Sequence, residues 1–316
     1  MSSFRPFQNS DPPWLAEIWK SQPPMRGLMQ PVTPALLELC VFSKPYFDHN
    51  GLIVAIDENK PVGFVHASFG PNEAQSELST DLGTTQMLMV RPELRGTDLP
   101  RELLVQSENY LRDRGAKVLY AGGIRPLDGF YLGLYGGSEL PGVLASDRVL
   151  TEAALQLGYQ EMTRVVILHR DLVRFRPPIT REQRALRRDT SFQLEYLPTT
   201  TTWWEACTLG QLERWTFTLT RRQDKALLAE VWFWDVEPLA TSWGLRTAGM
   251  VGLYVSPTAR RQGCATFLLS EAFNELNRRG YAMAEAQVMA DNAEALAFYD
   301  RLGFVAVEQG HVYRKA

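Results

Sequence analysis

The sequence predicts an α/β chain built twice over, and three observations carry that expectation. Apolar runs of strand length alternate with segments of helical spacing along the whole 316 residues, a length of about two ordinary domains. The order of these segments repeats. Aligning V-x-P-x-x-R pairs Val255 with Val90, an offset of 165, while aligning Leu302 to Phe304 (L-G-F) with Leu157 to Tyr159 (L-G-Y) gives 145. The difference of 20 calls for an insertion in the first unit, and Arg125 to Ser146 (R-P-L-D-G-F-Y-L-G-L-Y-G-G-S-E-L-P-G-V-L-A-S) is its seat. Third, Met250 to Ala265 reads as strand, basic glycine-containing loop, then helix start.

In the first unit, taken as residues 1–170, Trp14 to Trp19 and Pro34 to Cys40 are short helices, the former after Asp11-Pro12-Pro13. Gly51 to Ile56 and Val62 to Ser68 flank the turn D-E-N-K-P as a hairpin. Thr84 to Val90 is a strand, Arg101 to Arg112 an amphipathic helix stopped by Gly115, and Lys117 to Gly122 a strand. Leu150 to Leu157 is a helix, and Tyr159 to His169 is expected to close the unit as a paired stretch.

Residues 171–189 are strongly basic and contain Pro177-Pro178, the pattern of a solvated linker or of an anchor for an acidic partner. The second unit, 190–316, repeats the order with strands at Phe192 to Tyr196, Trp215 to Leu219 and Ala226 to Trp234, and a helix at Thr202 to Gln211. Met250 to Val255, the helix Thr266 to Arg278, the strand Ala282 to Met289 and the helix Ala293 to Leu302 follow. Phe304 to Tyr313 is expected as a closing strand pair.

Composition narrows the function classes. Hydrophobic residues make up 45% and charged residues 22%, and 33 basic against 36 acidic side chains leave a net charge of −3. Near-neutrality gives no footprint for nucleic acid or an anionic membrane. No signal-like N-terminal segment or long apolar run is read, so a soluble, cytoplasmic protein is expected. Cys40, Cys207 and Cys264 are widely spaced and odd in number, which fits a reducing compartment. His49, His66, His169 and His311 lack ligand spacing, and no metal site is expected.

The chemistry concentrates in the second unit. At the start of a helix, free N–H groups and the positive end of the dipole favour a phosphate, Gly263 and Ala265 let it approach the backbone, and Arg260 and Arg261 add charge. A second marker begins 29 positions after Gly263, N-A-E-A-L-A-F-Y-D-R-L-G-F from Asn292 to Phe304. With R-R-Q-G-C-A matching an R/Q-x-x-G-x-G/A acyl-CoA loop, the region from Met250 to Val307 resembles the GNAT N-acetyltransferases. The doubled order resembles tandem-GNAT proteins such as mycothiol synthases.

The resemblance implies two domains, each a mixed, mainly antiparallel sheet flanked by helices, with acetyl-CoA as co-substrate and a small-molecule or peptide amine as acceptor. It implies that Arg260, Arg261, Gln262, Gly263, Cys264, Ala265 and Thr266 hold the pyrophosphate and that Leu253, Tyr254 and Val255 hold the pantetheine arm. Asn292 would contact that arm or cap its helix, and Tyr299 would protonate the departing thiolate. The position where the family commonly has a glutamate is Gln287, which takes no proton at neutral pH. Glu285 is two residues earlier on the same strand face and is the candidate base, acting through a water. The first unit has Asp98 and Pro100 where the second has Gly263 and Ala265, and Ala154 in place of Tyr299, so activity is expected in the second half alone. The rival reading is a non-catalytic acyl-CoA-binding scaffold.

Other features have two readings. The tryptophans at 203, 204, 215, 232, 234 and 243 fill a core or line an acceptor pocket. Phe130 to Gly137 suits a lid or an interdomain contact, and Cys264 is expected to be a bystander. The oligomeric state is left open.

Overall fold

The first half of the chain supplies β1 (Ser3–Pro6), α1 (Pro12–Lys20), α2 (Pro34–Leu37), β2 (Leu52–Asp57), β3 (Lys60–Pro71), β4 (Leu78–Val90), α3 (Leu99–Asp113), β5 (Val118–Ala121), β6 (Val143–Leu144), α4 (Arg148–Gln156) and β7 (Gln160–Asp171). The second half supplies α5 (Arg181–Asp189), β8 (Thr190–Tyr196), α6 (Trp203–Leu209), β9 (Arg214–Arg221), β10 (Leu227–Asp235), α7 (Glu237–Trp243), β11 (Thr247–Val255), α8 (Cys264–Arg278), β12 (Met283–Met289), α9 (Ala293–Arg301) and β13 (Val305–Lys315). These elements come from a computed structural model that describes residues 3–316; Met1 and Ser2 lie outside the described residues.

Local chemistry accounts for the elements. The β2–β3 hairpin turns through Glu58 and Asn59, both at positive φ, the geometry of a tight two-residue hairpin loop. The helical stripe expected at Phe267, Leu268, Leu269, Ala272, Phe273 and Leu276 is the buried face of α8. Thr33 caps α2 by accepting the Leu36 N–H, and the chain then continues through a π-helical turn, Glu38–Phe42.

Two segments differ from the sequence expectation. The second half of the basic linker is helix α5, because Thr180 and Gln183 form the start of a capping box: the Thr180 hydroxyl accepts the Gln183 N–H at 3.2 Å. Helix α7 was not anticipated, although Pro238 in its first turn and Gly244 at φ +68 after its end are ordinary start and stop signals.

The larger difference lies in the closing strands. The described strands form one sheet of 13 strands, in the order β1-β2-β3-β4-β5-β13-β7-β12-β11-β10-β9-β8, with β6 beside β13. Each expected closing pair is a single strand, and the two have changed places. β13, from the second half, pairs with β5 of the first through Tyr313–Ala121 and Lys315–Leu119. β7, from the first half, pairs with β12 of the second from Met289–Val165 to Met283–Asp171. β7 and β13 pair with each other, joining the halves without an edge between them.

The cores follow this exchange. Leu168, Leu172 and Phe175, early in the chain, pack with α8 and β12, whereas Tyr313 packs with β3, β4 and α3. A third core belongs to both halves and gathers Trp19, Phe130, Tyr131 and Tyr135 with Trp204, Trp234 and Val251. The aromatic loop Phe130 to Gly137 is thus an interdomain contact, not a lid. A polar lock crosses the same junction. The fully buried Glu285 carboxylate accepts the Ser138 N–H at 2.5 Å and lies 2.8 Å from His169 Nε2, and Arg26 contacts Nδ1 of the same ring.

Such an exchange makes the halves interdependent. If a protease site is inserted between Arg176 and Pro177, in the exposed stretch before α5, the two fragments are expected to co-elute after cleavage and to unfold in one transition. Separation of the fragments in native buffer would contradict the pairing described here.

Candidate active site at the parting of two strands

β11 and β12 run parallel, in contact only from Thr247–Met283 to Met250–Ala286, and then part. A bulge accompanies the parting. Glu230 faces Tyr254 but Trp232 faces Val251, so β11 spends one extra residue there. Gly252 makes this possible: it sits at φ +66, and a Cβ on it would stand 2.6 Å from Trp232 Nε1. The gap is a cleft of about 300 Å³ lined by Leu253, Gln287, Asn292, Phe298, Tyr299 and Glu139 among others.

At its outer end β11 has no strand partner on the cleft side among the described residues. The Ser256 N–H donates to Leu228 O (2.9 Å), so by strand alternation the Val255 N–H points the other way, toward the gap. The loop that follows is held open by Arg261 (φ +61) and Gly263 (φ +78). Gly263 stands at the N-cap of α8, a helix with no side-chain cap, and among the described residues the amides of Gln262, Gly263, Ala265 and Thr266 have no hydrogen-bond acceptor. Arg260, Arg261 and Gln262 are exposed. Exposed arginines over unpaired amides at a helix start form a seat for an anion. Helix α5 leans on this loop: Gln183 Nε2 lies 3.5 Å from Gly263 O, and Leu186 packs against the α8 core. The arginines of the former linker are thus on a helix that touches the anion seat through Gln183, with Arg187 paired to Glu271 and Arg188 to Asp189.

The remaining site residues divide. Asn292 caps α9 by accepting the Ala295 N–H at 3.1 Å and also lines the cleft. Tyr299 is largely buried, with burial first and the negative Glu139 second raising its hydroxyl pKa well above the ordinary value. Its hydroxyl has no hydrogen-bond partner among the described residues, and the residue lines the cleft. Cys264 is buried, and burial raises its thiol pKa despite the helix start, as suits a bystander.

Glu285 is placed differently from what a base requires. Its side chain has no exposed surface, is held by Ser138 and His169, and is absent from the cleft lining. Glu285 and Gln287 do share a strand face, but the first-unit insertion covers it. Gln287 Nε2 donates to Glu139 O at 2.8 Å, next to the Ser138 contact. The insertion thereby delivers a carboxyl group, Glu139, into the cleft of the other half. No sequence argument selected Glu139, although Arg125 to Ser146 was singled out by offset and contains only three charged residues, Arg125, Asp128 and Glu139.

The corresponding region of the first half is narrowed by the chain's own groups but keeps a hollow of about 250 Å³ beside Gln22, Leu88, Met89, Asp147 and Glu152. β4 and β5 pair in parallel from Leu82–Val118 to Thr85–Ala121, and β4 bulges at Gln86, the counterpart of Val251. There the insertion turns back into the gap. Gly122 N–H donates to Thr85 O, and Gln86 Nε2 donates to Leu127 O at 2.7 Å. Gln22 Nε2 takes the Val90 carbonyl at 3.0 Å, and Asp98, with Pro100 behind it, stands at the N-cap of α3. Of the tryptophans, 204, 215 and 234 are buried in cores, while Trp232 lines a second hollow of about 240 Å³ with Arg125, Asp128 and Glu205.

Comparison with known proteins agrees with this geometry. The family model described as "Acetyltransferase (GNAT) family" matches twice, at residues 15–131 and 184–304. The [ribosomal protein bS18]-alanine N-acetyltransferase of Escherichia coli (strain K12) is 40% identical over 60 residues, 19% of this chain; the chain spans only 40% of that relative's length. Among solved structures, a tandem GNAT protein from the clavulanic acid biosynthesis pathway superposes with a TM-score of 0.66 at 14% identity, covering 100% of this chain and 98% of its own. A GCN5-related N-acetyltransferase from Sphaerobacter thermophilus gives 0.62 at 14% identity, covering 99% and 95%. The chain belongs to the acetyltransferase (GNAT) family, as two GNAT-like α/β domains in tandem.

Proposed function

We propose that the second half transfers an acetyl group from acetyl-CoA to a primary amine by direct attack in a ternary complex. The observation that carries this reading is the loop after β11, where the amides of Gln262, Gly263, Ala265 and Thr266 have no acceptor among the described residues, whereas the first half has Asp98 and Pro100 at the start of the matching helix and Gln86, Leu127 and Gln22 reaching into its parting. In this proposal Gln262, Gly263, Ala265 and Thr266 bind the pyrophosphate through backbone N–H groups, and Arg260, Arg261 and the arginines of α5 supply positive potential. Leu253, Tyr254 and Val255 hold the pantetheine arm along β11, and Asn292 borders it. Acetyl-CoA supplies an activated carbonyl. Tyr299 stays protonated through the working pH range and points its free hydroxyl into the cleft, where it donates to the sulfur as negative charge develops there. The acceptor is a small molecule or peptide bearing a primary amine; one relative's name records acetylation of an alanine in a ribosomal protein.

Two substitutions test the assignment. Tyr299→Phe is expected to lower kcat for amine-dependent CoA release by about 10²-fold while leaving the acetyl-CoA Kd nearly unchanged. An undiminished kcat would remove Tyr299 from the reaction. Gly263→Asp, which copies Asp98 into the open loop, is expected to weaken acetyl-CoA binding by about 10–100-fold in calorimetry, through repulsion of the pyrophosphate. Wild-type affinity in that variant would place the phosphates elsewhere.

A further inference from the structure

We propose that Glu139, carried across the junction by the first-unit insertion, is the general base that takes the proton from the acceptor amine in the second-half cleft. This rests on the acetyltransferase reading of that cleft and adds to it a residue from the other half of the chain. Three observations converge. Glu139 lines the same cleft as Tyr299, so a base and an acid share one space. Its backbone is fixed by Gln287, whose side-chain amide donates to Glu139 O, and by the neighbouring Ser138 N–H on Glu285, so the carboxyl is presented by a clamped turn. The side chain keeps 27% of its surface exposed and pairs with Arg125 Nη2 at 3.6 Å. Arg125 in turn lines the neighbouring hollow that contains Trp232 and Asp128.

The electrostatics suit the role. Burial pushes the Glu139 carboxyl up to about 7; Arg125 pulls it down, and Asp128 and Glu285 push it up. Below that value Glu139 is protonated and cannot act, and above it the carboxylate is the working form. In the step itself, the amine lone pair forms the C–N bond at the thioester carbonyl and the C–S bond breaks with its electrons on sulfur. The N–H proton goes to Glu139 and the sulfur is protonated from Tyr299. Passage of the Glu139 proton to the Tyr299 oxygen through the shared cleft restores both groups.

The test is Glu139→Gln, assayed by CoA release with benzylamine, 2-phenylethylamine and tyramine as acceptor probes. With saturating acetyl-CoA, wild-type kcat should rise through an inflection near pH 7. The variant should lose about 10²-fold in kcat at pH 7.5 and lose the inflection, with acetyl-CoA Kd within about twofold. Glu139→Asp should keep the inflection at reduced kcat, and it serves as the test if the glutamine variant does not fold. An undiminished kcat with the wild-type pH profile, in either variant of an active protein, overturns the role of Glu139 alone. Wild-type protein that releases no CoA with any probe overturns the acetyltransferase reading and this inference with it.

Discussion

The hydrogen bonding of β13 between β5 and β7 is the constraint on which the rest of the molecule depends. A sheet edge left open at β5 or β12 would expose unpaired N–H and C=O groups, and each half covers the other's edge with its own closing strand. That arrangement sets the halves side by side along one sheet. It also lets the insertion between β5 and α4 reach across the junction, where Ser138 and Glu139 meet Glu285 and Gln287 of β12. Ser138, Glu139 and Glu285 meet because the strands carrying the halves have been traded.

The two halves show how a duplicated frame diverges by packing as much as by substitution. Both have a bulged fourth strand, a parting beside it and a long helix behind it. In the first half the chain's own groups enter the parting, Gln86 donating to Leu127 O and Gln22 to Val90 O, and a hollow of about 250 Å³ remains beside Leu88 and Met89. In the second half the matching carbonyl, Val255 O, meets Arg260 Nε at 3.4 Å, while the amides of Gln262, Gly263, Ala265 and Thr266 have no acceptor among the described residues. The insertion has a double effect, since Leu127 near its start narrows the first parting at Gln86 while its middle furnishes a wall and a carboxyl for the second.

Much of this was legible in the sequence. The offset of 145 against 165 located the insertion, periodicity placed the buried stripe of α8, and the glycine in R-R-Q-G-C-A stands where φ is positive. Helix α5 was obscured by its charge and by Pro177-Pro178, although Thr180 and Gln183 carried the capping signal. The strand exchange left no trace, because an alternating pattern says which face of a strand is buried and nothing about its neighbour. Glu285 illustrates the same limit. Its spacing from Gln287 correctly gave a shared face, but whether that face met substrate or protein depended on residues about 150 positions earlier, and Glu139 was invisible as a site residue for the same reason.

The account's central claim is that one cleft, in the second half and walled by the first, is where acetyl-CoA is used. A crystal structure grown with acetyl-CoA tests it most directly. The account predicts one molecule per chain, its pyrophosphate on the amides of residues 262–266 and its acetyl group between Tyr299 and Glu139. Acetyl-CoA seated between β4 and β5 of the first half, with the β11–β12 cleft empty, would contradict it.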